Sequence, residues 1–275
     1  MIVFGALSWN LFHGRDFPPD PELRRWRHRL LPGEWRRGDW LQVNRSLREE
    51  FAEVLASLEW DIALLQEAPP RWAGSLARAA GASAAVGLTS RNSLGRLRGL
   101  AADWNPDLIA SNEGGSNQTL VRPPWRIDEV RHEELARAPE RRAMVWTRLA
   151  GPDGHALCVA NMHATATGDH TRAARELLHV AELCVGWDPV TPLVVGGDMN
   201  LRPREHPWVF AELRERFGFT SPTADDAVDH LLARGLEVSD PPRRLPAEAR
   251  DVVRPDGGRV RLSDHALVAA RFGVA

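Results

Sequence analysis

Val194-Val195-Gly196-Gly197-Asp198-Met199-Asn200 is the stretch that decides how this chain is read. An apolar run ends in two glycines, then in an acid and an amide two residues apart. The run predicts a buried strand, and the glycines let backbone or substrate approach closely. Asp198 and Asn200 can then aim at one point, the carboxylate taking a metal or a proton and the amide orienting. Taken alone, Gly-Asp-x-Asn is equally a turn. The segment acquires meaning only from its surroundings.

Outward from it, short apolar runs alternate with amphipathic helical patterns, the signature of an α/β protein. Strands are predicted over residues 2–9, 62–66, 108–111, 144–149, 156–162, 193–196 and 266–272, and helices over 44–58, 70–80, 171–185 and 206–216. The third helix carries Ala174, Leu177, Leu178, Ala181 and Leu183 at helical spacing. Residues 13–43 and 240–262 read as long irregular stretches rich in Pro, Gly and Arg. Each adjoins a strand end with candidate site residues, so both are expected to be functional loops. No repeat, low-complexity tract or linker interrupts the 275 residues. One domain over 1–275, with an insertion at 13–43, is expected.

The polar strand end recurs. Ser8-Trp9-Asn10 closes the first strand with an amide, Leu64-Leu65-Gln66-Glu67 closes another with an acid, and Ala160-Asn161-Met162-His163 a third with an imidazole. Ser263-Asp264-His265 opens the last strand with an acid–base pair. Ligand sites in open α/β sheets gather at strand ends, so these residues can converge.

Together with Val228-Asp229-His230, these segments resemble, in order and spacing from residue 8 to 265, the endonuclease/exonuclease/phosphatase superfamily with its DNase I-like fold. Ser116-Asn117-Gln118-Thr119-Leu120 looks like that family's Gly-Asn-Ala-Ile-Leu strand, which would put Asn117 at the site. The resemblance implies a four-layer α/β (α+β) sandwich, two mixed β-sheets packed face to face with helices outside. It also implies roles. Glu67, Asn10 and Asp264 would hold Mg²⁺ or Mn²⁺, hard ions that take oxygen ligands and offset charge on a phosphoryl group. His265, held by Asp229, would be a general base or orient the phosphate. Asp198 would position or deprotonate the attacking water, Asn200 would bond the phosphate, and His163 would stabilise or protonate the leaving oxygen. Relatives that cut at abasic sites place a tyrosine at the His163 position, and this chain has none. Asn-x-His is closer to the DNase I, sphingomyelinase and inositol-phosphate phosphatase branches. At Asp229 the family's following aromatic or Ile gives way to His230-Leu231.

Composition narrows the classes. A chain 43% hydrophobic and 26% charged is globular, with no apolar run long enough to span a bilayer. Its net charge of −2 argues against coating nucleic acid by bulk electrostatics. Eight arginines against Glu34 and Asp39 nevertheless give residues 24–48 a charge of +6, leaving −8 elsewhere. Within that segment Trp35, Arg36, Arg37 and Trp40 suggest a phosphate clamp with base stacking; the plainer reading is tryptophans anchoring a loop whose arginines are solvated. Cys158 and Cys184 lack metal-ligand spacing, and the apolar start at Ile2 lacks the basic residues of a secretion signal. Reduced thiols and a cytoplasmic location are expected. The leading expectation is a phosphodiesterase or nuclease. The alternatives are an enzyme acting on a small-molecule, inositol-phosphate or lipid phosphoester, and a non-catalytic protein that binds a phosphorylated ligand.

Overall fold

The computed structural model describes residues 1–31, 33–90, 94–109, 115–138, 141–166, 168, 170–220 and 222–274. In chain order its strands begin with β1 (Ile2–Asn10), β2 (Glu34–Arg37), β3 (Trp40–Val43), β4 (Ile62–Ala68) and β5 (Ser83–Leu88). They continue with β6 (Ser116–Val121), β7 (Arg126–Ala136), β8 (Arg142–Ala150), β9 (Ala156–His163) and β10 (Leu193–Asp198). The last are β11 (Asp229–Arg234), β12 (Glu237–Arg244), β13 (Asp251–Val253), β14 (Arg259–Arg261) and β15 (Val268–Val274). The helices are α1 (Trp26–Leu30), α2 (Arg48–Ser57), α3 (Ala73–Ala79), α4 (Gly95–Trp104), α5 (Pro106–Ile109), α6 (His170–Trp187) and α7 (Pro207–Phe217).

One sheet runs β12-β15-β1-β4-β6-β5 and the other β11-β10-β9-β8-β7, both mixing parallel and antiparallel pairs. The period-2 alternation of strands sorts side chains into three apolar layers. Phe4, Ile62 and Leu64 of the first sheet meet Leu157, Val159, Val194 and Leu231 of the second. On the outer face of the first sheet, Ala63 and Leu65 pack under Phe51 and Leu55 of α2 and Leu76 of α3. On the outer face of the second, Cys158, Ala160 and Val195 pack under Leu177 and Val180 of α6 and Val209 and Leu213 of α7. This is the four-layer α/β sandwich. Both cysteines are free and buried. Among the described residues no helix is long and apolar enough to cross a membrane.

The strand expected at 108–111 is not one where it is described. Residues 108 and 109 lie in α5, and 110 and 111 fall outside the described residues. Pro106 occupies the first helical position, where its missing N–H is no loss, and the Asn105 side-chain oxygen accepts the Asp107 N–H at 3.0 Å. This local start signal outweighs a four-residue apolar run. Several strands have no counterpart in the predicted set (β2, β3, β5, β7 and β11 to β14), and two of them show the opposite reason. β7 sits at a sheet edge, pairs among the described residues only with β8 and alternates exposed with half-buried residues, so it is dominated by charge. β12 lies at an edge of the first sheet and carries Pro241-Pro242 where its register slips.

The two irregular stretches pair with each other. β2 and β3 form a hairpin inside 13–43, β13 and β14 lie inside 240–262, and all four join as the sheet β13-β14-β3-β2. Trp40 lies beneath the guanidinium groups of Arg259 and Arg261, each 4.8 Å from its ring centroid.

Beside this sheet, Asp16 is buried, and its Oδ2 accepts the Val43 N–H at 2.8 Å. Burial pushes its carboxyl up to about 8, against the pull of that hydrogen bond. The folded state therefore holds this proton more tightly than the unfolded chain. The associated stability is complete below the unfolded value near 4 and is lost as pH rises towards about 8. Asp16→Asn keeps the acceptor but cannot ionise. Between about pH 5.5 and about pH 8.5 the parent should lose several degrees more in melting temperature than the variant. Parallel losses in the two proteins would contradict this account.

Candidate active site

Register assembles half of the site. β9 runs parallel to β10 with His163 opposite Asp198, and β11 runs antiparallel to β10 with Asp229 opposite Asp198. Three functional side chains thus stand in a row across the C-terminal end of β10. The first sheet supplies the facing row from β1, β4 and the turn before β15. Asn10 crosses between sheets, its Nδ2 donating to Asp198 Oδ2 at 3.0 Å while its Oδ1 accepts the Phe12 N–H at 2.9 Å.

The backbone here is held in unusual conformations. Glu67, Asn200 and Ser263 have φ of 48°, 50° and 59°, values that side-chain-bearing residues rarely adopt. Glu67 lies where the β4–β6 register slips between Leu65 and Ala68, and such a bulge re-aims a side chain. Gly197, at φ 136°, passes so close to β9 that a Cβ would lie 1.9 Å from the Met162 carbonyl oxygen. The paired glycines therefore answer to packing.

His265 Nδ1 sits 2.8 Å from Asp229 Oδ2, while its Nε2 faces Asp198 Oδ2 at 3.8 Å and Asp264 Oδ1 at 3.9 Å. The ring is oriented through its backbone. Its N–H donates to Ser263 Oγ (3.0 Å), which donates to the Asn10 carbonyl (2.6 Å), and its own carbonyl accepts from Arg250 (2.6 Å). Burial opposes the imidazolium, but the carboxylates of Asp229 and Asp198 overcome it and raise His265 well above the usual histidine range. Burial also pushes Asp198 up to about 7, helped by Asp229 and Glu67 and opposed by His265. Asp264 is raised as well, chiefly by burial, with Glu67 adding to it.

His163 is buried and lies 3.4 Å from Asp198 Oδ2 and 3.8 Å from Glu67 Oε1 through Nε2. Burial first, then Arg142, holds its pKa well below the ordinary value. Arg142 NH1 lies 3.1 Å from His163 Nδ1. A guanidinium can only donate, so the ring is neutral with its proton on Nε2, facing the acids. Arg142 was one arginine among many in the sequence, with no motif to single it out. No motif in the sequence singles out His13 either; its Nε2 is 3.1 Å from Glu67 Oε2.

Asn200 donates its side-chain amide to the Ala164 carbonyl at 3.0 Å, and its N–H to Asp198 Oδ1 at 3.1 Å. Asn117 is wholly buried on β6; it donates to the Ala143 carbonyl at 2.8 Å, and its Oδ1 has no partner among the described residues. Asn161 stitches the sheets beneath the site, donating to the Leu65 and Gln118 carbonyls and accepting from Gln66. His230 bonds the Leu201 carbonyl and the Thr223 N–H inside the core. Arg36 and Arg37 are exposed on β2 and engaged elsewhere, Arg36 with Asp256 (3.6 Å) and Arg37 with Asp20 (3.0 Å) and Glu22 (3.7 Å). Trp35 stacks on His28.

The donor set suits a hard divalent cation. Glu67 raises both Asp198 and Asp264 electrostatically, and Asn10 and the acids offer only oxygen donors. Glu67, Asp264 and Asn10 Oδ1 are oxygen donors of the kind such an ion takes. Asp198, Asp229 and His265 also bring donor atoms within 4.8 Å of one another, but the 2.8 Å Asp229–His265 bond already commits two of them.

Solved structures share the fold. An endonuclease/exonuclease/phosphatase family protein from Bacteroides thetaiotaomicron is 15% identical, with a TM-score of 0.64 and coverage of 100% of this chain and 98% of that one. The human Nocturnin catalytic domain with bound sulfate is 15% identical, TM-score 0.64, covering 99% and 95%. The mannosyl-6-phosphatase of Bacteroides thetaiotaomicron is 15% identical, TM-score 0.63, covering 98% and 99%. No curated protein matches the sequence significantly. Residues 7–265 match the Endonuclease/Exonuclease/phosphatase family, and the chain belongs to that family of phosphoester hydrolases.

Proposed function

We propose that this protein is a divalent-metal-dependent phosphodiesterase. The observation that carries the reading is the single network in which Asp229, His265, Asp198, His163 and Glu67 stand within 4 Å of one another in sequence along a chain of contacts. A cation at Glu67, Asp264 and Asn10 would supply Lewis acidity to a phosphoryl oxygen. The remaining work falls to the protein's own groups. Asp198, poised to accept a proton near neutral pH, takes it from the attacking water. His265, kept charged by Asp229, binds a phosphoryl oxygen through Nε2–H. His163, neutral with its proton on Nε2, donates a hydrogen bond to charge growing on the departing oxygen rather than giving up a proton. Mg²⁺ or Mn²⁺ should support hydrolysis of bis-p-nitrophenyl phosphate, and EDTA should remove it reversibly. Undiminished activity in the metal-stripped protein would refute the reading.

A nucleic-acid substrate rests on the net positive charge of residues 24–48, since Trp35 and Trp40 pack within the protein and Arg36 and Arg37 pair with surface acids. A second reading, a lipid phosphoester, is favoured by a different observation. Leu94, Leu97, Leu100 and Trp104 are exposed along α4, and Trp26, Leu30 and Leu31 are exposed on and after α1. The two patches adjoin, since Asn105 donates to the Arg29 carbonyl at 2.9 Å and Arg29 pairs with Asp107. An apolar area of this kind on a monomer's surface usually meets a partner or a membrane. Plasmid DNA, single-stranded oligonucleotides and phospholipid vesicles assayed side by side separate the two. Leu97→Glu with Trp104→Glu should slow only the vesicle reaction if the lipid reading holds.

A further inference from the structure

Across the Asn200 carbonyl from the catalytic acids, His170, Glu205 and His206 each offer a donor atom, and these atoms lie within 4.8 Å of one another. They come from separate elements. His170 opens α6, while Glu205 and His206 end the segment that runs from Asn200 to the start of α7. The two imidazoles stand 4.7 Å apart, centroid to centroid. We infer that His170, Glu205 and His206 form a second metal site, for a borderline transition ion such as Zn²⁺, distinct from the oxygen-rich centre at Glu67 and Asp264.

Three features of the side chains point to a ligand. His206 occupies the N-cap position of α7, where a side chain ordinarily bonds a backbone N–H of the first turn, yet it makes no such bond. Its Nε2 is instead buried with no hydrogen-bond partner among the described residues, which is costly unless something binds there. His170 Nδ1 lies 3.4 Å from the Asn200 carbonyl oxygen, which can accept only if Nδ1 carries the proton. That tautomer leaves the Nε2 lone pair free, the arrangement by which a backbone carbonyl orients a metal-ligating imidazole. Glu205 is exposed, and its ion pairs among the described residues are with Arg204 at 3.5 Å and Arg202 at 3.8 Å, contacts weak enough to be exchanged for an ion.

Two imidazoles and a carboxylate are the donors of Zn²⁺, Co²⁺ or Ni²⁺, whereas Mg²⁺ asks for oxygen. A tetrahedral ion with bonds of about 2.1 Å sets its donors about 3.4 Å apart, at most about 1.4 Å closer than the 4.8 Å within which these atoms stand, within reach of side-chain rotation. The ion would fasten the start of α6 to the start of α7 and so brace the segment that carries Asn200.

The test uses the full chain, stripped of metal and then held in excess Mg²⁺ to fill the oxygen site. Titration with Co²⁺ should give one equivalent with visible absorption typical of nitrogen ligation, displaced by Zn²⁺. His170→Ala and His206→Ala should each weaken Co²⁺ binding by at least about tenfold; Glu67→Gln should leave the spectrum unchanged. Zn²⁺ should raise the melting temperature of the parent and not of the histidine variants. Should His206→Ala fail to fold, His206→Asn and His170→Gln make the same comparison. No Co²⁺ uptake under excess Mg²⁺, uptake that survives the histidine changes, or uptake lost in Glu67→Gln would each overturn the inference.

Discussion

Asp198→Asn should lower turnover on bis-p-nitrophenyl phosphate by about 10³-fold or more with Mg²⁺ present, while its melting temperature moves by only a few degrees. General-base assistance alone is worth roughly 10²–10⁴, and Asp198 also touches Asn10, His163 and His265. The small change in stability has two opposing causes. An amide cannot accept from both Asn10 Nδ2 and the Asn200 N–H as the carboxylate does, which costs about 1–3 kcal/mol. Against this, Asn removes a buried charge that Asp229 and Glu67 oppose. Asp229→Asn should cost roughly 10²–10⁴ by a different route. The new amide presents a donor to His265 Nδ1 or loses the acceptor that keeps its proton there, so the ring is misoriented. Turnover measured beside thermal melts checks both variants. Activity within tenfold of the parent in Asp198→Asn would remove Asp198 from the reaction.

Gly197→Ala should have the largest effect on folding. Its Cβ would lie 1.9 Å from the Met162 carbonyl oxygen and 3.0 Å from the Met162 carbonyl carbon, and φ of 136° is closed to alanine. Backbone cannot step aside as a side chain can, so β9 and β10 must part at the level of His163 and Asp198. A cost above about 4 kcal/mol is expected, a large share of the roughly 5–15 kcal/mol of a typical domain. The product should be insoluble or melt far below the parent. Two other glycines calibrate the result. At Gly196 the added Cβ meets the side-chain ends of Leu64 and Leu231 at 2.6 and 2.7 Å, which can shift, so about 1–3 kcal/mol is expected. At Gly186, near the end of α6, nothing lies within 4 Å, and alanine should be neutral or stabilise by up to about 1 kcal/mol. Soluble Gly197→Ala protein with the parent's melting temperature would contradict this reading of the strand pair.

Much of this molecule was legible in its sequence. Apolar runs located β1, β4, β8, β9, β10 and β15 to within about two residues, because burial on both faces leaves a continuous local signature. The polar residues closing those runs named the side chains that the structure draws into one cluster. Edge strands carried no such signature. Two loops read as irregular became a sheet, since pairing between residues 40 and 259 leaves no trace in either segment alone.

The sequence by itself determined which residue types stand at the strand ends, and with them the family and the reaction class. Only the tertiary structure decided which ends meet, through the β9–β10–β11 register and the bulge that turns Glu67 inward. It also decided that Arg142 fixes the His163 tautomer, that Asn161 and His230 serve the core, and that Arg36 and Arg37 are tied to surface acids. The reason is range. Strand periodicity is written within a few residues, whereas a donor's partner is set by chain segments dozens of residues away.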